Sequence, residues 1–157
     1  MNGTGTKKLT YYKYNNFNRL IQMKSESSTA TYRYNAQGYR VEKTLNGETT
    51  EYLYNGDKVV LETDANNVEK AFQAYGSNLL YRSVAADTQM GATSYYYLYN
   101  AHGDVTALID SDGNIAATYD YDAFGNILSE TGNANNSIKY AGYQHDDVNE
   151  VTRFRLM

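Results

Sequence analysis

A short pattern, Tyr-x-Tyr followed by Asn or Asp, recurs along almost the whole of this 157-residue chain. A repeat of fixed length constrains the fold strongly, because every copy must build the same supersecondary unit. The copies begin at residues 12, 32, 52, 72, 97 and 119, which gives steps of 20, 20, 20, 25 and 22 residues. The fourth copy is degraded, since it has Phe72 and Tyr75 in place of the tyrosine pair. The near-constant step predicts six copies of one structural module.

Each copy has the features of a β-hairpin. Tyr-x-Tyr places two rings on one face of a strand, because side chains alternate with period two. The Asn, Asp and Gly residues that follow tolerate the positive φ of tight turns, and alternating runs such as 58–62 supply the second strand. Further turn signals at 46–47, 64–67 and 112–114 separate the copies. The sequence therefore predicts an all-β protein. Helix is the weaker prediction for residues 68–74, because this stretch is short and lacks a cap.

The residues expected to define the module are the paired rings and the turn glycines. They are Tyr12, Tyr14, Tyr32, Tyr34, Gly38, Tyr52, Tyr54, Gly56, Phe72, Tyr75, Tyr97, Tyr99, Gly103, Tyr119, Tyr121, Gly125, Tyr140 and Gly142. We interpret them as structural, because aromatic pairs across neighbouring strands stabilise a sheet. The alternative is a sugar-binding surface, in which rings stack on sugars and Asn or Asp side chains bind hydroxyls. The stretch 95–99 has rings on both faces, so we expect this strand to be covered on both sides.

Composition excludes several other classes. The chain has 18 tyrosines but no cysteine, proline or tryptophan, so disulfides and cysteine-based metal sites are excluded, and no cofactor is indicated. A net charge of −4 argues against a nucleic-acid surface. No run of apolar residues is long enough for a membrane helix. The N-terminal residues lack the apolar region of a signal peptide, so an export signal would have to lie elsewhere on a longer parent.

Candidate catalytic and metal-binding residues are few. His102 lies in a turn and is expected to be solvated. His145, beside Asp146 and Asp147, could bind a metal or act as a base, but one short segment rarely builds a site alone.

Two acidic patterns favour turns over chemistry. The stretch 110–114 (DSDGN) looks faintly like a calcium loop, but its glycine is fourth rather than sixth and position twelve is Tyr121. Asp120 and Asp122 form a carboxylate pair, yet Asn replaces Asp122 in four other copies, which is typical of a turn. We therefore predict no catalytic or metal-binding residue.

The pattern Y-x-Y-[N/D]-x-x-G-x-hydrophobic, repeated about every 20 residues, resembles the Rhs (YD-repeat) family. The stretch 95–132, YYYLYNAHGDVTALIDSDGNIAATYDYDAFGNILSETG, is similar to the Rhs repeat-associated core region, and KYAGYQ at 139–144 continues it. The resemblance covers roughly residues 9–147. It implies YD-repeat hairpins over 1–94, a core-like segment over 95–147 and a divergent or truncated tail over 148–157.

The resemblance also implies an architecture and a role. Family members form a curved antiparallel sheet that spirals into a hollow shell, and in bacterial toxins the shell encloses a C-terminal toxin. Teneurins use a similar shell for adhesion. Self-cleavage in the family is associated with Asp-Pro elements, and this chain has no proline, so self-cleavage is not carried over. The expectation is a non-enzymatic shell segment of a secreted or cell-surface bacterial protein; the alternative is a carbohydrate- or surface-binding adhesion module.

Expected partners follow from the shell role. They are the remainder of a larger Rhs shell and a toxin cargo, with carbohydrate as the alternative and without nucleic acid or membrane insertion. Six hairpins cannot close a shell, so the sequence predicts an open sheet with two free edges that self-associates or needs neighbouring chain.

Overall fold

The structure is a computed structural model that describes residues 9–85, 92–134, 136 and 138–140. Twelve β-strands lie in this part of the chain, and no α-helix does. They are β1 Tyr11–Tyr14, β2 Leu20–Lys24, β3 Thr29–Tyr34, β4 Arg40–Leu45, β5 Glu48–Asn55, β6 Lys58–Thr63, β7 Glu69–Tyr75, β8 Leu79–Val84, β9 Thr93–Tyr99, β10 Val105–Ile109, β11 Ile115–Tyr121 and β12 Ile127–Gly132. The prediction of an all-β protein is confirmed, and residues 69–74 are strand rather than helix.

The strands form one open antiparallel sheet in which spatial order equals chain order, from β1 to β12. Among these twelve strands each therefore pairs only with its neighbours in sequence, and β1 and β12 each have a single partner within the described residues. This arrangement needs no long crossover, because a short turn joins each antiparallel pair. The described residues contain no helix long and apolar enough to cross a lipid bilayer.

Six of the connecting loops share one conformation. In each, the first residue is Asn or Asp, its carbonyl accepts a hydrogen bond from the residue three positions later, and that later residue has positive φ. The left-handed residues are Asn18, Gly38, Asn67, Gly103, Gly113 and Gly125. A type I turn followed by a left-handed residue is the usual three-residue hairpin loop. Asn and Gly recur at this position because they tolerate positive φ.

The third and fourth hairpins use shorter turns. Gly56, at φ 63°, lies in a two-residue loop between the paired residues Asn55 and Lys58. In the fourth hairpin the Gly76 amide donates to the carbonyl of Asn78. These two hairpins therefore lack the three-residue loop of the other four.

A β-bulge lies at the same place in all six hairpins. Just before the turn, the register shifts by one residue, so that the second strand carries an extra residue there. The extra residues are Ile21, Val41, Val60, Leu80, Thr106 and Leu128. Bulges bend a strand and increase its twist. Six bulges in register therefore bias the sheet toward continuous coiling.

The core lies on one face of the sheet. Two apolar clusters occupy it: one comprises Leu20, Met23, Ala30 and Tyr32, and the other is centred on Tyr97, Leu108 and Tyr119. The expectation that 95–99 would be covered on both sides is wrong. Tyr95 and Tyr97 are buried, but Tyr96 is 50% exposed, because the opposite face of β9 points to solvent in the described part of the chain.

Candidate functional site

The repeat tyrosines all belong to one face of the sheet, which we call the tyrosine face. We define a first ring position (Tyr12, Tyr32, Tyr52, Gln73, Tyr97 and Tyr119) and a second ring position two residues later (Tyr14, Tyr34, Tyr54, Tyr75, Tyr99 and Tyr121). Side chains two residues apart on a strand share a face. At the first position the tyrosines of the third, fifth and sixth hairpins are buried, as is Tyr32 of the second. These rings form the core rather than a ligand platform.

The second ring position joins each hairpin to the one before it. We call the residue opposite this ring, on the second strand of its own hairpin, the exit residue; the exit residues are Leu20, Arg40, Val59, Leu79, Val105 and Ile127. The tyrosine hydroxyl donates a hydrogen bond to the exit carbonyl of the preceding hairpin. These tyrosine bridges are Tyr34 to Leu20 (2.8 Å), Tyr54 to Arg40 (2.8 Å), Tyr99 to Leu79 (2.7 Å) and Tyr121 to Val105 (2.9 Å).

Burial of these rings changes their acid–base properties. Desolvation raises the pKa of Tyr54 and of Tyr99 to about 12. It also raises the pKa of Tyr75, Tyr97 and Tyr121 above the usual tyrosine value. A buried phenolate is unfavourable because the charge loses its hydration. The hydroxyls therefore stay protonated at neutral pH and remain hydrogen-bond donors.

The fourth hairpin corrects one predicted residue. Phe72 was expected at a ring position, but its side chain is 42% exposed on the opposite face, whereas Gln73 is 3% exposed on the tyrosine face. The cause is the strand register. Gln73 lies opposite Arg82, and in the other hairpins the residue at the equivalent position of the pairing is the first tyrosine. The fourth copy therefore begins at residue 73, and its first ring is replaced by an amide.

A buried polar cluster surrounds that amide. Gln73 Nε2 donates to Glu62 Oε1 at 2.6 Å, and Arg82 Nη2 lies 3.3 Å from the same oxygen. Tyr75 donates its hydroxyl to Gln73 Oε1 at 2.7 Å instead of to the preceding exit carbonyl. Charged hydrogen bonds thus replace the tyrosine bridge between hairpins three and four.

A second buried arginine lies on the same face in the second hairpin. There the Arg40 guanidinium covers the Tyr32 ring at 4.5 Å from its centroid.

The segment after β12 returns to the tyrosine face. Asn136 Oδ1 accepts a hydrogen bond from the Tyr97 hydroxyl at 2.8 Å, and Asn136 Nδ2 lies 3.3 Å from the Tyr119 hydroxyl. Ile138 joins the apolar cluster, and Lys139 Nζ pairs with Glu130 at 3.0 Å. The amide of Val105 donates to the carbonyl of Lys139 at 3.3 Å. This segment covers rings that would otherwise face solvent.

Tyr140, predicted as a repeat residue, lies outside the strands. Its ring packs against Tyr121 at 5.6 Å and against His102 at 5.7 Å between centroids. Gly142, His145, Asp146 and Asp147 lie outside the described residues.

His102 forms a contact that sequence reasoning missed. Its Nδ1 lies 3.1 Å from both carboxylate oxygens of Asp104, which is buried and also accepts a hydrogen bond from Asn100 Nδ2 at 3.0 Å. The spacing of Asn100 and Asp104 at the two ends of a three-residue loop was the available signal. A buried carboxylate fixes the orientation of an imidazole, and the rest of this imidazole is exposed to solvent. The contact orients a turn side chain beside Tyr140.

The acidic patterns behave as turns. The amides of Asp112 and Asn114 donate to Asp110 Oδ1, and equivalent bonds reach Asp122 from Phe124 and Asn126. Hydrogen bonds from the Asn114 amide lower the pKa of Asp110, and bonds from Asn126 lower that of Asp122. No group of three potential metal ligands occurs among the residues described.

Comparisons with known proteins identify the repeat. An RHS Repeat family model matches residues 99–137. The tRNA nuclease WapA of Bacillus subtilis (strain 168) is 39% identical over 138 residues, which are 84% of this chain and 6% of that protein. The tRNA3(Ser)-specific nuclease WapA of Bacillus spizizenii is 38% identical over 137 residues, with the same two shares. The chain therefore spans a small part of the length of these relatives.

Solved structures share the fold. The crystal structure of TcdB2-TccC3 superposes with a TM-score of 0.65 at 16% identity, over 87% of this chain and 8% of that one. The Photorhabdus luminescens Tc holotoxin pore with TccC3-D651A gives a TM-score of 0.67 at 16% identity, over 88% and 8%. Sequence repeat, sequence relatives and strand arrangement agree, and the chain belongs to the Rhs (YD-repeat) family.

Proposed function

We propose that this chain is a non-enzymatic wall segment of a larger Rhs shell, which encloses or presents a toxin in a secreted or cell-surface bacterial protein. The observation that carries the proposal is the sequential sheet in which tyrosine bridges join consecutive hairpins. Such a sheet can be extended at either end without rearrangement, because each hairpin contacts only its neighbours. The division at residues 94/95 into repeats and core-like segment belongs to the same proposal.

Containment is the mechanism of such a wall. Every internal strand is hydrogen-bonded on both sides, so the wall has no open edge between its ends. The rings and the polar cluster fill one face, which limits the passage of water and of polypeptide. The nuclease activity in the names of the WapA relatives is not assigned to this chain, because it spans 6% of each of them.

A chimera tests the wall function. In Bacillus subtilis WapA, the matching segment is replaced by this chain, and the purified protein is treated with a protease of broad specificity. We expect the segment to be protected as in unmodified WapA. The control is a Gly-Ser segment of equal length, which we expect to be cleaved. Cleavage of the chimera within this chain, at the rate of the Gly-Ser control, would contradict the proposal.

The alternative, a carbohydrate-binding adhesion module, has one observation in its favour. Tyr96 is exposed and its ring lies 5.2 Å from that of Tyr81, on the face opposite the core. A glycan array of the purified chain addresses it. Specific sugar binding that is lost in Tyr96→Ala, with an unchanged unfolding midpoint, would favour adhesion over a wall.

A further inference from the structure

Within the described residues, the series of tyrosine bridges ends in a donor at one end of the sheet and in an acceptor at the other. Tyr14 occupies the second ring position of the first hairpin, and no acceptor for its hydroxyl lies among the described residues. Ile127 is the exit residue of the last hairpin, and the described residues supply no hydroxyl to its carbonyl. The internal equivalents of both groups are joined in four of the five junctions between hairpins.

The first strand also exposes rings that are covered elsewhere. Tyr12 and Tyr14 are 41% and 49% exposed, whereas Tyr32 in the next hairpin is 4% exposed. Among the described residues no strand precedes β1, whereas in the internal hairpins the second strand of the preceding hairpin lies beside the strand that carries these rings. An exposed strand edge with apolar side chains is a template for pairing with another strand.

The five internal junctions follow one register. In each, the second residue after the exit residue lies opposite the residue just before the first ring position. The pairs are Gln22 with Thr31, Glu42 with Glu51, Leu61 with Phe72, Tyr81 with Tyr96, and Ala107 with Thr118. Applied to the two ends of the sheet, the same rule places Ser129 opposite Tyr11.

We propose that β1 of this chain pairs with β12 of a second copy, in the register that sets Ser129 of one copy opposite Tyr11 of the other. In this head-to-tail pairing the Tyr14 hydroxyl donates to the Ile127 carbonyl of the second copy and completes the series of tyrosine bridges. The pairing rests on the proposed wall function, since it treats the second copy as the neighbouring hairpins of a wall.

Strand direction supports a head-to-tail contact. Directions alternate along the sheet, and the number of strands is twelve, so β12 and β1 of successive copies run antiparallel as every other pair does. Pairing of β1 with β1 would instead bring two tyrosine donors together and leave both without an exit carbonyl. A head-to-tail contact uses different surfaces on the two copies and therefore builds open chains rather than closed dimers.

Disulfide trapping tests the register, and the absence of native cysteine makes it unambiguous. Tyr11→Cys and Ser129→Cys replace side chains that are exposed on the sheet. Directly opposite residues of antiparallel strands lie at a Cα distance that a disulfide spans. We expect the two variants, mixed and mildly oxidised, to form the mixed dimer. The matched control, Lys13→Cys with Ser129→Cys, is out of register and should form it at least tenfold more slowly.

Tyr14→Phe tests the hydroxyl. By sedimentation, we expect the association of this variant to weaken about 3- to 10-fold, the change expected for one net hydrogen bond. Tyr11→Phe removes a neighbouring exposed hydroxyl and should leave association within about twofold of the original chain, since no bridge involves it. Equal association of the two variants would overturn the role of Tyr14.

Two results would overturn the pairing itself. One is a chain that stays monomeric at all concentrations; the other is a Tyr11→Cys sample that oxidises to its own dimer faster than to the mixed dimer. Neither result argues against the proposed wall function, because protection of the WapA chimera from protease needs no second copy of this chain. Cleavage of that chimera together with efficient mixed dimers would instead reject the wall and keep the contact.

Discussion

At the scale of the residue, a phenylalanine would fill the space of each second-position tyrosine but would lack the group that reaches the preceding hairpin. The hydroxyl is the part of the side chain that links neighbouring hairpins, because its acceptor carbonyl belongs to the preceding hairpin. A buried carbonyl left without its donor keeps the cost of desolvation. The repeat is therefore a tyrosine repeat rather than a general aromatic one.

Tyr99→Phe measures this contribution. We expect the free energy of unfolding to fall by about 1–2 kcal/mol, because the Leu79 carbonyl loses its donor. Tyr96→Phe, in the same strand, removes a hydroxyl from a side chain that is half exposed, and should change stability by less than about 0.5 kcal/mol. Urea unfolding followed by circular dichroism gives both values. Equal losses in the two variants would show that the bridge contributes nothing specific.

Gly103 tests the shared loop. Its φ is 88° and a Cβ would meet no atom within 4 Å, so a side chain there meets only backbone strain. Gly103→Ala should cost about 1–2 kcal/mol. Gly103→Asn should cost clearly less, since Asn18 and Asn67 occupy the same loop position. An alanine variant as stable as the asparagine variant in urea unfolding would contradict this reading of the loop.

At the scale of the element, most hairpins could be predicted from the sequence because their signals are local. A ring pair, a turn residue and a left-handed glycine lie within ten residues of one another, as in the hairpin that contains Tyr32, Tyr34 and Gly38. Sugar binding and packing could not be separated in this way, since both need the same rings. Tyr32 is buried on the core face, and this favours packing for that ring.

The misassignments involve groups whose partners lie on other strands or at the end of a loop. Phe72 looked like a ring residue because it is aromatic, but strand pairing gives that position to Gln73. The cluster of Gln73 with Glu62 and Arg82 depends on register across three strands, which no single segment encodes. His102 is exposed to solvent as expected, but its contact with the buried Asp104, which follows the turn, was not predicted.

The stability of the junction between hairpins three and four depends on the buried ion pair of Glu62 with Arg82. In Glu62→Leu, Arg82 loses a charged partner while nearly buried, and we expect a loss of about 3 kcal/mol. The double variant Glu62→Leu/Arg82→Met should recover most of it, because no buried charge remains. The control is the exposed pair Arg33–Glu42, where Arg33→Met should cost under about 1 kcal/mol. A double variant no more stable than Glu62→Leu would argue against this account.

At the scale of the whole molecule, stability is a sum of hairpins and of the junctions between them. The tyrosine bridges and the polar cluster are two solutions to the same requirement, which is to join one hairpin to the next. A wall built in this way can be lengthened by adding modules, and its ends carry the groups that a further module would use.

Alkaline pH should weaken the junctions together. Tyr54 and Tyr99 have folded-state pKa values raised from 10.0 to about 12, so the folded state holds their protons more tightly than the unfolded state does. Their contribution to stability is complete below pH 10 and is lost as pH rises toward 12. We expect the urea midpoint to fall over this interval, and to fall less steeply in Tyr54→Phe/Tyr99→Phe. An equally steep fall in that variant would assign the effect to other groups.

The central claim is that the repeated tyrosines are junctions between neighbouring modules, and native-state hydrogen exchange of Tyr99→Phe tests it most directly. We predict faster amide exchange in β8 and β9, on either side of the lost bridge, with the β2 and β3 amides unchanged. Exchange that accelerates equally in all strands, or that does not change in β8 and β9, would contradict the claim.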